Sequence, residues 1–450
     1  MRRSSLFVTG LVALVTLIVA MTAAPAAIAQ VVGLYYQEVE KDGRVYVFNT
    51  PEKYKLFQES GDMGIAITLP GAGVDGITVV AENETAADLY FFKHNLPGYE
   101  RPTPNTALPF TVSWKDGKTT IESKQARLDL SNRMQIRFTQ EMPETGDDVG
   151  SFRMRRMKTK FEGWVYTKDL TYELQLNWPD TANPLEDASI NYDLTKGKKT
   201  FQLKGGQFKV PFGRQELTSS GSQEFVDRSF VSNEFARSRD IGVQLWGTPM
   251  QGKLDWRVGI FNGNGRTVTR NDNDQYQTNA RVTFQPFGDV KYSEGDFEST
   301  DRPLFAIAGQ YENNERPVAA AGTTPADTAE REIFGGDVVF KYKGLFAFLE
   351  YFDATTDRQR QSDFDSDGYN VQVGYFIIPQ KFEVAGRLAV HDPNADRDND
   401  EREERGVALG YFFNKHPHKL QADYRQLETK TGPGTDVTND EFRLQYQIIF

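Results

Sequence analysis

Arg153, Arg155, Arg156, Lys158 and Lys160 stand close together in FRMRRMKTKFEG, residues 152–163. A guanidinium grips phosphate oxygens in a two-pronged fork, and a ring of such charge in a narrow, poorly screened passage selects anions. The competing reading is a solvated face, where opposite charges on neighbouring strands pair and merely stiffen one another. Other chemistry is sparse. Cysteine is absent, which removes disulfides and thiolate metal sites. The histidines are His94, His391, His416 and His418. His94 has no partner cluster around it and reads as structural or solvated. His416 and His418 share a short turn. His391 lies near acidic residues, without a serine at a useful spacing. FNGNGR lacks the strand-to-helix setting of a nucleotide site, and DRDNDEREE has no calcium-loop signature. No catalytic residue, metal or cofactor is expected, which argues against an enzyme.

Such charges need elements to hold them, and the elements are strands. Leu128, Leu130, Met134, Ile136 and Phe138 alternate with Arg127, Arg133, Gln135 and Arg137. Leu254, Trp256, Val258 and Ile260 oppose Asp255 and Arg257 in the same way. Successive strand side chains point to opposite faces, so each stretch has one apolar and one polar face. From Ser123 onward sixteen such segments follow: approximately 126–140, 151–166, 169–179, 185–195, 199–209, 239–249, 252–262, 275–287, 302–313, 331–343, 345–355, 366–379, 380–391, 403–414, 417–429 and 439–450. Each is long enough to cross a bilayer when tilted. Short turns such as Lys343-Gly344 alternate with longer polar loops, the habit of membrane barrels. Residues 288–303 break that rhythm, which implies an insertion or a strand miscount. Sixteen strands enclose more space than side chains fill, so a water-filled channel is the expected function.

The last segment, EFRLQYQIIF, carries apolar residues at every even position from Phe442 to Phe450. It resembles the closing strand of bacterial outer-membrane barrels, whose terminal aromatic strand is an assembly signal. That makes Tyr446, Ile448 and Phe450 the candidate signal residues and the barrel assembly machinery a partner.

Composition agrees with this reading. Hydrophobic content is 38% and the formal charge is −11. The acidity argues against nucleic acid as a partner. Past the first residues no apolar run is long enough for a spanning helix. Residues 1–29 read as a secretory signal, with Arg2 and Arg3, an apolar core and Ala27-Ile28-Ala29. Residues 30–109 read as a small mixed domain and a proline-rich linker, of no assignable activity. An even strand number would put that domain in the periplasm.

The long connection at about 210–238 carries Phe212, Phe225, Phe230 and Phe235. Those rings need something to pack on, so the loop should fold inward and narrow the pore; a surface flap or trimer latch is the other reading. Its candidate constriction residues are Phe212, Arg214, Glu216, Arg228 and Arg237. Here GGQFKVPFGRQELTSS (205–220), RSRDIGVQLWG (237–247) and VGIFNGNG (258–265) resemble the phosphate-selective porins O and P. VSWKDGKTTIESKQARLDLSNRMQIRF (112–138) fits the same pattern, and the resemblance extends over about residues 110–450. It implies an all-β fold: a 16-stranded antiparallel transmembrane barrel, trimeric, in outer-membrane lipid, with the third long loop in the pore. In the founding members an arginine ladder and a central lysine draw anions through.

Alternation projects Arg127, Arg133, Arg137, Arg156, Lys158, Lys160, Lys204, Arg257 and Arg281 into the lumen as candidate anion contacts, with Arg387, Arg425 and Arg443 further on. Projected acids include Asp129, Glu162, Glu173, Asp187, Asp240, Asp255, Glu383 and Asp423. Residues 123–240 hold 19 basic and 17 acidic residues, and residues 241–450 hold 23 and 33. The expected lining is therefore mixed. The expected function is passive diffusion of small hydrophilic solutes, either with an anion or phosphate preference or without one. The alternative is a structural or adhesin-type outer-membrane β protein that transports nothing.

Overall fold

The computed structural model describes residues 34–98, 110–268, 270–320, 326–432 and 435–450. The secretory-signal reading and most of the linker reading fall outside these residues. The described chain forms two compact units, one on each side of residues 99–109.

The first unit holds strands β1 (Gln37–Lys41), β2 (Arg44–Phe48), β3 (Ile67–Leu69) and β4 (Thr78–Ala81), with helices α1 (Pro51–Ser60) and α2 (Glu84–Lys93). The sheet order is β1-β2-β4-β3, with β2 and β4 parallel. Proline at the first position starts α1, where its missing N–H costs nothing, and Gly61 ends it in the left-handed region at φ 75°. Asn83 caps α2 by accepting from the Ala86 N–H. Val47, Val79, Ala81, Tyr90 and Phe91 form the core between sheet and α2. His94 is indeed structural: its Nε2 lies 2.9 Å from Glu38, beside Lys93 at 2.6 Å. Burial alone would raise the Glu38 carboxyl, but hydrogen bonds from Lys93, His94 and Tyr36 hold it down at about 2.

The second unit opens with a hairpin, β5 (Phe110–Lys115) and β6 (Lys118–Ser123). Sixteen strands follow: β7 (Ala126–Met142), β8 (Val149–Val165), β9 (Thr167–Asn177), β10 (Leu185–Asp193), β11 (Gln202–Lys209), β12 (Arg239–Gly247), β13 (Leu254–Phe261) and β14 (Gln277–Phe284), then β15 (Leu304–Val318), β16 (Asp327–Tyr342), β17 (Leu345–Arg358), β18 (Phe364–Ile378), β19 (Phe382–Asp392), β20 (Arg402–Asn414), β21 (His418–Thr429) and β22 (Val437–Ile449). Each of the sixteen expected segments overlaps one of them. All pair antiparallel with their neighbours, and β22 closes on β7 with Ile448 opposite Met134 and Tyr446 opposite Ile136. Closure leaves no barrel edge unpaired.

Oil and water sit as the alternation requires. On β7, Ile136 is 43% exposed on the outside, whereas Gln135 and Arg137 are buried within. Leu174, Val258 and Leu388 likewise face outward and stay exposed. A soluble core would reverse this, so the apolar face is the lipid face.

The hairpin was not among the expected strands. Asp116-Gly117 forms its tip, both residues at positive φ, as tight two-residue hairpins demand. β6 then pairs with β7 from Arg127 to Ser131, just below the point where β22 stops. A Cβ on Gly117 would stand 2.5 Å from the Ile449 carbonyl oxygen, so only glycine fits there.

Two segments enter the lumen from opposite ends. The 210–238 loop folds inward, as expected, and carries two short helices, α3 (Arg214–Leu217) and α4 (Phe230–Phe235). Its Val210, Phe212, Val231 and Phe235 pack with Phe208 and Phe261 on one wall and Ile333, Phe352 and Ala389 on the other. Phe235 stacks on Phe352 with centroids 5.0 Å apart. Each ring buried this way contributes about 1.5–3 kcal/mol, which is why the loop crosses the lumen instead of standing in solvent. The second segment, 285–303, is an insertion and not a missed strand. It leaves the short-turn end, buries Val290 and Phe297, and meets the loop inside the barrel.

Candidate functional site

A cavity of about 500 Å³ lies between the inserted loop and the wall formed by β7–β13. Asp180 and Arg266 line it at the long-loop end; Lys160 and Trp246, a few residues from short turns, line it at the other. It therefore runs along the barrel.

Its wall is built strand by strand. β7 gives Arg133. β8 gives Arg155, Arg156, Lys158 and Lys160. Gln135 pairs with Arg156 and Ile136 with Met154, so Arg155 is an extra residue, a bulge. The bulge turns two consecutive arginines to the lumen, where strict alternation allows one. β11 gives Lys204 and Lys209, which alternation would send to opposite faces. Between them Gly206 takes φ 124° while its missing Cβ leaves room for the Ala188 carbonyl. Arg239 on β12, Arg257 on β13, Arg228 on the loop and Arg266 complete the basic set. The acids are Glu173, Asp180, Glu186 and Asp187. Eleven basic side chains thus face four acidic ones. This cavity is more basic than the mixed set projected for the lumen as a whole; the inserted segments meet projected acids such as Asp423 and projected cations such as Arg137 and Arg387 alike.

Most of these cations are already engaged. Arg239 forks onto Asp187 at 2.9 and 3.0 Å. Lys158 bonds Glu186. Lys160 meets Glu162 at 2.7 Å and Glu173 at 3.1 Å. Arg257 meets Asp255 at 2.7 Å. Two differ: Arg133 and Lys204 have no carboxylate within 4.0 Å among the described residues. Arg133 is steadied by Ser219 and Ser220 hydroxyls at 2.8 and 3.0 Å. The Lys204 ammonium sits 4.6 Å from the Phe208 ring centroid. Hydroxyls and a ring hold a cation in place without neutralising it.

The loop is moored by charge as well as by rings. Asp227 accepts from Arg137 at 2.5 Å and Arg156 at 3.1 Å, with Arg443 at 3.6 Å and Arg155 at 3.7 Å. Burial alone would raise this carboxyl; Arg137 and Arg156 overcome that and hold it well below the ordinary range. Glu216 pairs with Arg228 at 3.1 Å and Lys209 at 3.7 Å.

The expected site residues divide accordingly. Arg133, Arg156, Lys158, Lys160, Lys204, Arg257 and Arg228 line the cavity. Arg137 is buried under the loop, and Arg281 is paired to Asp337 at 2.6 Å on the far wall. Arg387 binds Glu404, and Arg425 binds Glu441. Arg127 sits near the hairpin with Asp129 at 3.1 Å, away from the cavity. Phe212 is a core residue of the loop, Arg214 donates to the Val290 carbonyl, and Arg237 donates to the Gly263 carbonyl. Tyr446 bonds His418 at 2.8 Å, Ile448 is half-buried on β22, and Phe450 is exposed. Alternation left out Arg155, which the basic cluster at 153–160 had singled out, and missed Lys209, Arg239, Arg266 and Tyr292; the paired glycines at 205–206 hinted at Lys209.

The family model described as "Phosphate-selective porin O and P" matches residues 129–448. A protein of Aquifex aeolicus (strain VF5), described as uncharacterized, is 24% identical over 282 residues, covering 55% of this chain. The alignment spans 64%, under two thirds, of that relative's own length. Among solved structures, an anion-selective porin from Comamonas acidovorans is similar with a TM-score of 0.52 at 11% identity, over 72% of this chain and 100% of that one. The outer-membrane channel DcaP of Acinetobacter baumannii gives 0.52 at 13%, over 73% and 99%. OmpT of Vibrio cholerae gives 0.51 at 10%, over 73% and 99%. At such identities the likeness is one of fold.

Proposed function

The chain belongs to the phosphate-selective porin O and P family, and on that premise we propose that it is an outer-membrane diffusion channel whose passage favours small anions. The observation that carries this is the imbalance of eleven basic over four acidic side chains along one cavity, in a chain of net charge −11. Excess fixed charge of one sign raises the local concentration of counter-ions and eases their entry. The passage lies between β7–β13 and the inserted loop. Arg133 and Lys204 are the lining cations without a carboxylate within 4.0 Å among the described residues, so they have the most to offer a passing anion.

Pairing sets how far this preference goes. A cation already forked onto a carboxylate has less to give a passing anion than a free one. The passage therefore draws phosphate as one small anion among others. The resemblance to trimeric porins supports a homotrimer, and the even number of strands supports a periplasmic position for the first unit.

The test is reversal potential across planar bilayers in a salt gradient, with chloride and then phosphate as the anion. An anion-directed potential with both is expected. A cation-directed potential would remove the proposal, and zero conductance from a folded sample would favour the adhesin reading.

A further inference from the structure

The 285–303 segment is the least ordinary part of the barrel. It is a short-turn connection by position, yet it reaches into the lumen and is fastened on three sides. Glu294 is the centre of that fastening. Its N–H donates to the Ser222 carbonyl at 2.9 Å. One carboxylate oxygen accepts from the Glu224 N–H at 2.7 Å and Gln372 Nε2 at 2.9 Å. The other accepts from Gln215 at 3.2 Å, and its carbonyl lies 3.1 Å from His416 Nε2. Loop, β18 and the β20–β21 turn are thus tied to one residue. Lys341 adds two bonds at 2.7 Å, to the Ser293 and Gly295 carbonyls.

Two residues before this latch stands Tyr292, which the segment contributes to the cavity lining. Its ring lies 4.6 Å from the Arg214 guanidinium and 5.2 Å from that of Arg257. The hydroxyl is buried and bonds no protein acceptor. Arg281 also stands beside the hydroxyl. Guanidinium groups only donate, so the phenol proton is left for something that accepts. An anion passing Arg257 is such an acceptor.

Behind the segment the wall is neutral on balance. Asp337, Glu350 and Glu383 stand with Arg281, Lys341 and Lys419, all buried. Val290 covers Val339 there, in a cluster with Ala306, Phe346 and Phe348.

We propose that the 285–303 segment is the second wall of the ion path: Glu294 latches it, Tyr292 offers its hydroxyl to the permeating anion, and the segment keeps the charge-balanced wall out of the path. This rests on the anion-channel reading, and the measurements separate the two.

In planar bilayers with the full chain, Tyr292→Phe removes only the hydroxyl. It lowers the anion-to-cation permeability ratio about threefold to fivefold, the weight of one hydrogen bond, at unchanged conductance. Glu294→Ala frees the segment, raises single-channel conductance and brings the ratio toward unity. Both variants at wild-type values, with the wild type anion-selective, would overturn the proposal. A wild type without anion preference would sink the anion-selective reading instead, and a second measurement still tests the latch. The chain has no cysteine, so Val339→Cys gives a single, nearly isosteric thiol. It is expected to resist a water-soluble thiol reagent and to react once Glu294→Ala is added. Ready labelling with Glu294 intact would show that nothing covers this wall.

Discussion

Replacing Lys204 by glutamine isolates one charge. Lys204 has no carboxylate within 4.0 Å among the described residues, and its ammonium rests over Phe208 at 4.6 Å. Removing it therefore breaks no ion pair and leaves the loop moored through Asp227. A unit charge about 4 Å from an ion is worth ~1 kcal/mol in a water-like medium and ~4 kcal/mol at an effective dielectric near 20. A water-filled passage lies near the lower value, so the permeability ratio should fall roughly fivefold. Lys204→Glu changes two charge units and should reduce it roughly 25-fold, to or past inversion. The assay is reversal potential in a shallow salt gradient at about 0.1 M, where the screening length is about 10 Å. Repeating it at about 1 M, where that length is about 3 Å, should erase most of the difference. Arg425→Gln is the control. Its partner Glu441 lies 2.5 Å away, off the cavity, so ion preference should hold while the barrel loses stability with the broken pair. A Lys204→Gln channel with the wild-type reversal potential at low salt would refute the reasoning. So would an Arg425→Gln effect on preference as large as that of Lys204→Gln.

Other perturbations probe the supports. Asp227→Asn strips the counter-charge from Arg137 and Arg156 at once, which should loosen the loop, lower the temperature of heat-modified migration on gels and make single-channel current noisier. Gly117→Val forces a side chain into the Ile449 carbonyl at 2.5 Å and into φ 76°, so the yield of folded barrel should drop sharply on the same gels. In the first unit, the Glu38 carboxyl is depressed to about 2, so its contribution is complete above about 4.5 and is lost as pH falls through about 2. Amide exchange in β1 and α2 should speed up over that window, and Glu38→Gln should remove the pH dependence there.

The strands were legible because a lipid-facing wall enforces alternation residue by residue: Leu128 to Phe138 and Phe442 to Phe450 say in or out without help from their neighbours. Distant partners decide the site, and they are not written locally. The bulge at Arg155 and the turn of chain at Gly206 break the period of two, and each adds a lumenal cation that the period denies. Nothing in the 285–303 sequence says that Glu294 will meet Glu224 and Gln372, since those partners come from 70 and 78 residues away. The inward loop was readable from its phenylalanines, which had to be buried somewhere. The net sign of the passage was not, because it depends on which charged groups of both signs two insertions cover.

The small hairpin beside β7 bears on how the tube chooses its size. A closing strand slid by two positions would keep every greasy side chain outside, so facing alone does not fix the offset. Here β6 already occupies β7 up to Ser131, and its tip meets the backbone of Ile449. β22 can slide no further in that direction. The girth and tilt of the whole cylinder follow from the stagger at this seam, and a doorstop of fourteen residues, 110–123, sets it.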